Sequence, residues 1–122
     1  MSVGAKLDTW QTNMLLTGKG LGAEIAPETE GYRAFLYVWG YSVDPARGRR
    51  PSIFLNADHS DVRFAFRAVE LPPAYLDDDD ADYFEHELGA QREIASLEAL
   101  ESALAPYLDD LSRLISRARL AY

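Results

Sequence analysis

The stretch YRAFLYVWGYSV, residues 32–43, carries apolar side chains on both of its alternating sets of positions. Phe35 and Trp39 fall on one set, and Leu36 and Val38 fall on the other. Because successive side chains of a strand point to opposite faces, a strand of this composition is covered at least in part on both sides. The stretch therefore predicts the central strand of a sheet.

Four further strands are predicted around this central one, with turn-forming residues between them. The five predicted strands are LDTWQTNMLLT (7–17), LGAEIA (21–26), YRAFLYVWGYSV (32–43), SIFLN (52–56) and VRFAFRAVE (62–70). The last of these alternates with a period of two, so that Val62, Phe64 and Phe66 face one side. Short connections join consecutive strands, which favours an antiparallel meander.

Beyond Leu71 the apolar period becomes helical. Residues 81–88 predict a short helix that ends at Gly89, and an apolar stripe over residues 97–118 has alternating spacings of three and four residues. An interior proline removes a backbone donor and costs about 3 kcal/mol or more, so a helix should end or kink at Pro106. We expect an α+β fold with a five-stranded antiparallel meander sheet, followed by two or three C-terminal helices packed on one face.

The length of 122 residues is typical of one domain. We expect a single domain over residues 1–122, with a β-sheet portion at residues 1–70 and an acidic helical portion at residues 71–122. The absence of cysteine excludes a disulfide framework and a thiolate zinc site. The first residues lack the apolar run of a signal peptide, and no stretch approaches the roughly 20 apolar residues of a membrane span. We therefore expect a cytoplasmic protein.

The net charge of −8 is concentrated in one part of the chain. Residues 1–70 carry eight acids and eight bases, whereas residues 71–122 carry twelve acids and four bases. All twelve of these acids lie within residues 77–110, where Arg92 is the one base. A field this negative repels nucleic acid and anionic membranes and favours a basic partner.

The stretch LPPAYLDDDDADYFEHELG, residues 71–89, holds seven of these carboxylates. One or two aspartates would suffice to cap a helix, and capping with solubility is one interpretation. Four adjacent aspartates repel one another, however, and the excess favours a surface for a partner that normally meets the phosphates of nucleic acid. Tyrosines on both sides would supply anchors. The predicted partner-binding residues are Tyr75, Asp77, Asp78, Asp79, Asp80, Asp82, Tyr83, Glu85 and Glu87.

No motif for catalysis or for a metal ion accompanies these acids. In the EF-hand register that begins at Asp77, Asp82 occupies the sixth position, where glycine is required. His86 and His59 are the two histidines, and zinc normally needs three or four converging ligands. The chain has no G-x-S-x-G elbow, and GKGLG at residues 18–22 lacks the Ser or Thr of a P-loop. We therefore expect no catalytic residues, no metal, no cofactor and no enzymatic activity.

These observations together predict a small acidic binding protein that inhibits a basic partner, such as a nuclease, a toxin or a nucleic-acid-binding complex. Proteins of the toxin-immunity kind and of the phage anti-defence (anti-CRISPR) kind act in this way, and nucleic-acid mimicry is one means. We expect no direct binding to nucleic acid or membrane. Two alternatives stay open. One is a self-associating structural or adaptor protein, including a homodimer formed through the helical stripe. The other is a small-molecule-binding or hydrolytic module with a pocket between sheet and helices.

Overall fold

The computed structural model of the protein describes residues 6–54, 57–72 and 86–120. Five antiparallel strands form one sheet in the order β4-β3-β2-β1-β5. The strands are β1 (Leu21–Ile25), β2 (Arg33–Ser42), β3 (Val62–Leu71), β4 (His86–Ile94) and β5 (Ile115–Ser116). Strands β1 to β4 form the meander, and the short β5 returns to pair with β1. The prediction of an α+β fold with a five-stranded antiparallel sheet is confirmed.

Within the described residues two α-helices accompany the sheet. They are α1 (Thr9–Leu16) and α2 (Leu97–Leu104), and three short 3₁₀-helices cover Pro45–Arg47, Leu111–Arg113 and Arg117–Arg119. One α-helix precedes the sheet and one follows β4, which differs from the predicted set of C-terminal helices. Across the described part of the chain, no helix has the length and apolar character that would let it cross a membrane.

The central position predicted for residues 32–43 is confirmed, because β2 lies between β1 and β3 and pairs with β3 along all ten residues. Leu36 and Val38 are fully buried in the main core, on the face that also receives the two α-helices. We call this the first face. Phe35 is fully buried on the opposite, second face, in a smaller cluster with Val69. Both faces of β2 are therefore covered at least in part, as its composition predicts.

The strand predicted at residues 7–17 is wrong, because this segment forms α1. Asp8 is the N-cap residue, and its side chain accepts a hydrogen bond from the Gln11 backbone while the Gln11 side chain accepts one from the Asp8 backbone. This capping box satisfies two amide groups at the start of the helix. Gln11 and Leu15 are the buried residues of α1 and lie four positions apart, which is helical spacing. Because Gln11 is polar, the spacing of apolar residues in the sequence does not indicate the buried face of α1.

Gln11 also joins α1 to the C-terminal part of the chain. The Gln11 side-chain amide donates hydrogen bonds to the carbonyl oxygens of Leu111 and Leu114 at 2.8 and 3.0 Å. Gln11 is only 1% exposed, so these bonds replace those that water would make. The N-terminal helix is thus held by contacts about a hundred residues away in sequence.

The strand predicted at residues 52–56 is also wrong over its described part. Residues 52–54 form no strand, and Ile53 and Phe54 are 71% and 67% exposed. Residues 55 and 56 lie outside the described residues. The strands that complete the sheet instead are β4 and β5, both from the part of the chain for which helices were predicted. Among the described residues the number of strands agrees with the prediction, but two of the five predicted strands are not those observed.

The helix predicted at residues 81–88 is contradicted where the structure describes it. Residues 81–85 lie outside the described residues, and His86, which was predicted to lie in the last turn of the helix, begins β4. Gly89 pairs with Ala68 of β3, and a Cβ atom at Gly89 would lie only 2.0 Å from the Tyr107 hydroxyl oxygen. The glycine therefore allows close packing over the strand and does not end a helix.

The break predicted at Pro106 is confirmed, because α2 ends at Leu104 with Ala105 as its C-cap. Over residues 105–120 no second α-helix follows; the chain continues to β5 through a 3₁₀-helix. The apolar stripe nevertheless packs in the main core, where its buried members are Leu100, Leu104, Leu108, Leu111 and Leu114. The spacing thus predicted which residues are buried more accurately than it predicted their backbone conformation.

Candidate functional site

Eight of the nine predicted partner-binding residues fall outside the described residues. They are Tyr75, Asp77, Asp78, Asp79, Asp80, Asp82, Tyr83 and Glu85. Glu87 is described; it is exposed on β4, and one of its carboxylate oxygens lies 3.2 Å from Nε of Arg67 on β3. An exposed pair of this kind contributes about 0–1 kcal/mol and exchanges readily with other charged groups.

We call residues 73–85 the acidic segment, which carries six acids and no base. The described chain leads into it from the end of β3 and continues from it at His86, the first residue of β4. β3 and β4 are hydrogen-bonded neighbours, and their register places Glu70 opposite His86. Both ends of the acidic segment are therefore joined to adjacent positions at one end of the sheet.

Glu70 is the central residue of this junction. It is fully buried, and its carboxylate accepts hydrogen bonds from the backbone amides of Glu28 and Thr29, each at 2.9 Å. The carboxylate also accepts a hydrogen bond from the Thr29 hydroxyl group, and Nδ1 of His86 lies 2.7 Å from one of its oxygens. A buried carboxylate requires such donors, because it has lost its contacts with water. Glu70 thus connects the turn after β1 to the first residue of β4.

Burial raises the pKa of Glu70, but the hydrogen bonds from Thr29, His86 and the two backbone amides outweigh this effect and lower its pKa to about 2. The carboxylate is therefore ionised at neutral pH and can only accept hydrogen bonds. It follows that Nδ1 of His86 carries the hydrogen atom that it shares with Glu70. The sequence holds a signal for Glu70, since an acid stands between the apolar residues Val69 and Leu71 at the end of a predicted strand.

A second candidate site is an exposed apolar surface beside α1. We define the Trp10 surface as Trp10, Met14, Ile53 and Ile115. Trp10 and Ile53 are 50% and 71% exposed, and they line one groove of about 270 Å³ together with Met14. Trp10 and Met14 also line a larger cavity of about 610 Å³ with Ile115. Exposed apolar surface of this kind is typical of a protein interface.

Charged groups of both signs accompany the Trp10 surface. Asp8 and Arg119 line the larger cavity, and Lys19 lines the smaller groove. The sequence did not indicate this surface, because residues 7–17, which include Trp10 and Met14, were predicted to form a strand. Ile53 was likewise assigned to a strand. The Trp10 surface can be recognised only once residues 9–16 are known to form the helix α1.

Over residues 6–54, 57–72 and 86–120, no group of three or more histidine, aspartate or glutamate side chains is placed to hold a metal ion. The acidic segment lies outside these ranges. Comparison with known proteins assigns no family: no protein-family model matches the chain, and neither a curated protein nor a solved structure is significantly similar to it. Function must therefore be inferred from the sites themselves.

Proposed function

We propose that this chain is a small acidic binding protein that inhibits a basic partner protein which handles nucleic acid, in the manner of a toxin-immunity or phage anti-defence protein. The observation that carries the proposal is the charge of the acidic segment, which is six carboxylates and no base in thirteen residues. Lysines and arginines that the partner places to meet phosphates would meet these carboxylates instead. The proposed action is non-enzymatic and cytoplasmic, without direct contact with nucleic acid or membrane.

The described residues next to the acidic segment support this proposal. Because β3 and β4 are paired up to Glu70 and His86, both ends of the acidic segment lead from paired strands of the sheet. Fixed ends lower the entropy that the segment would lose when it binds. Glu87 is the second residue after the segment, and its exposed pair with Arg67 is weak enough to be replaced by a basic group of the partner.

The distribution of charge gives the protein a preferred orientation towards such a partner. Residues 1–70 sum to zero, and the net charge of −8 comes entirely from residues 71–122. A charge concentrated in one region attracts an oppositely charged protein to that region and raises the association rate. The proposed binding should therefore weaken as salt is added.

The experiment is affinity capture from a lysate of the native host, followed by identification of the captured proteins. The tagged wild type is compared with a variant that carries D77N, D78N, D79N and D80N, at about 50 mM and about 300 mM salt. The proposal predicts that the wild type captures a basic protein, that the higher salt releases it, and that the variant fails to capture it. If the variant captures the same protein equally well, the acidic segment is not the binding site.

A control variant separates the position of the charge from its amount. Glu28, Glu30, Glu98 and Asp109 are exposed acids outside the acidic segment. Replacement of the three glutamates by Gln and of the aspartate by Asn removes four negative charges. The D77N, D78N, D79N and D80N variant also loses four, so the two variants have equal net charge. This control should capture the partner as the wild type does. If it fails as well, net charge alone explains the binding.

A second candidate function, self-association, is supported by the Trp10 surface. The helical stripe that first suggested self-association is largely buried in the main core, so another surface is needed. The Trp10 surface combines exposed apolar residues with Asp8 and Arg119 in one cavity. In a two-fold symmetric dimer each surface meets a copy of itself, so that the acid of one copy can face the base of the other.

Sedimentation velocity over a range of protein concentrations tests self-association. We expect a dimer for the wild type and a monomer for Ile53→Lys, because a charged side chain would be placed in the interface. Val43→Lys is the matched control, since Val43 is 48% exposed but does not belong to the Trp10 surface. A wild type that stays monomeric at every concentration excludes this second function.

A further inference from the structure

A groove crosses the second face of the sheet near the ends of β2 and β4. Its lining residues are Trp39, Tyr41, Arg49, Ala65, Arg92 and Glu93, and its volume is about 320 Å³. Trp39 pairs with Ala65 across β2 and β3, so a small side chain stands beside the indole. The groove therefore offers two aromatic side chains with open space next to them. We call it the Tyr41 groove.

The backbone of the Tyr41 groove is strained at two positions. Arg49 and Glu93 have φ values of 72° and 59°, and among the described residues they are the two non-glycine residues with positive φ. The backbone amide of Glu93 donates a hydrogen bond to the Tyr41 hydroxyl group at 2.9 Å. The Arg49 guanidinium carbon lies 5.9 Å from the centre of the Tyr41 ring. Strain of this kind is concentrated at binding sites, where the surrounding structure maintains it.

Two cationic groups of the Tyr41 groove have no acidic partner in the described structure. Within residues 6–54, 57–72 and 86–120, neither Arg49 nor Arg92 forms an ion pair. A guanidinium group presents several N–H donors in one plane, which suits a carboxylate or phosphate. Glu93 lines the same groove and supplies an acceptor of opposite charge.

We infer that the Tyr41 groove binds a small ligand that combines a flat aromatic ring with one anionic group. The ring stacks on Trp39 and Tyr41, and the anionic group accepts hydrogen bonds from Arg49 and Arg92. Glu93 accepts a hydrogen bond from a donor on the ring and repels ligands with further negative charge. This inference is independent of the proposed function, because none of these residues belongs to the acidic segment.

Fluorescence of Trp39 tests the inference. The chain has two tryptophans, so Trp10→Phe makes Trp39 the sole reporter. The probes are adenosine 5′-monophosphate, uridine 5′-monophosphate and 4-aminobenzoate, with adenosine and inorganic phosphate as controls. We expect saturable quenching by at least one aromatic anion, with binding about tenfold or more tighter than that of either control.

Two variants assign the binding to the groove. Arg92→Gln removes one exposed guanidinium group, and Arg49→Gly removes the other while favouring its backbone conformation. Each should weaken binding about tenfold or more, with thermal unfolding checked to show that the variant is folded. The inference is overturned if none of the three aromatic anions quenches Trp39. It is also overturned if adenosine or phosphate binds as tightly as the aromatic anions, or if both variants bind like the parent.

Discussion

Nδ1 of His86 lies 2.7 Å from Oε1 of Glu70, which joins the first residue of β4 to a fully buried carboxylate of β3. Fourteen residues, six of them acids, separate the ends of these two strands. Like charges in the acidic segment repel one another, and this repulsion opposes the approach of its ends. The contact between His86 and Glu70 opposes this repulsion at the point where the segment meets the sheet.

The pKa of Glu70 predicts a specific dependence of stability on pH. Its folded pKa of about 2 lies below the ordinary value of 4.5. The carboxylate therefore contributes stability that is fully present above about pH 4.5 and is lost as the pH falls through about 2. We expect Glu70→Gln to be less stable than the wild type at pH 7 and to lose less of its free energy of unfolding between pH 5 and pH 2.5.

Urea denaturation at several pH values in this range measures the effect. Glu30→Gln is a suitable control, because Glu30 is an exposed acid that forms no hydrogen bond or ion pair among the described contacts. This control should keep the difference in unfolding free energy that the wild type shows between the two pH values. Equal pH dependence in Glu70→Gln and the wild type would mean that the Glu70 contacts do not hold its pKa low.

Gly40 allows α1 to approach β2 closely, so a larger residue there should be destabilising. A Cβ atom at Gly40 would lie 2.1 Å from the Leu15 carbonyl oxygen. Because this contact is with backbone, the helix must shift, and we expect Gly40→Ala to cost about 1–3 kcal/mol. In Gly20→Ala the new atom would lie 3.6 Å from Arg117, which is ordinary contact. Thermal unfolding of both variants should show a clear loss only for Gly40→Ala.

Gln11→Leu tests the connection between α1 and the C-terminal part of the chain. The substitution keeps an apolar stem but leaves the Leu114 carbonyl oxygen without its Gln11 donor, while the Leu111 carbonyl oxygen keeps only its hydrogen bond from the Leu114 backbone amide. An unsatisfied buried polar group costs about 1–3 kcal/mol, so we expect a loss of at least this order. Asn13→Leu, a partly exposed position on the same helix, should change stability by less than about 1 kcal/mol. Similar stabilities for the two variants in urea denaturation would show that the Gln11 bonds contribute little.

Arg49→Gly should stabilise the protein, because Arg49 has a φ of 72° that glycine adopts without steric cost. Glycine also loses more entropy on folding, so the expected net gain is at most about 1 kcal/mol. Arg50→Gly, at a neighbouring exposed arginine whose φ is not positive, should give no gain. The measurement is the free energy of unfolding of each variant. If Arg49→Gly and Arg50→Gly lose the same free energy of unfolding, the backbone at Arg49 is not strained.

The sequence predicted the parts of the fold in which burial follows a regular period. β1, β2 and β3 were predicted within one or two residues at each end, because apolar side chains alternate along them or fill both sides. The prediction from sequence failed where a polar residue occupies a position in the core. Gln11 is buried for its hydrogen bonds, and these depend on residues about a hundred positions away. No local pattern contains that information.

The acidic residues before β4 led to the other main error, which is the helix predicted at residues 81–88. Acidic residues before an apolar run are typical of a helix start, whereas β4 is an edge strand with mostly exposed residues and two irregular pairings with β3. Edge strands carry few buried side chains, so they show little periodicity. The acidic segment itself was evident from composition alone. The Tyr41 groove was not, since Arg49 and Arg92 come together only through the pairing of β2, β3 and β4.

Displacement of nucleic acid from the captured partner tests directly whether the acidic segment occupies the partner's site for phosphates. The partner is bound to a fluorescently labelled nucleic acid, and its anisotropy is followed as this protein is added. We predict that the wild type and the control variant with four acids removed elsewhere release the nucleic acid, whereas the variant with Asn at Asp77, Asp78, Asp79 and Asp80 does not. If the partner keeps its nucleic acid while bound to the wild type, the acidic segment does not occupy the site for phosphates, and the proposed mode of inhibition is wrong.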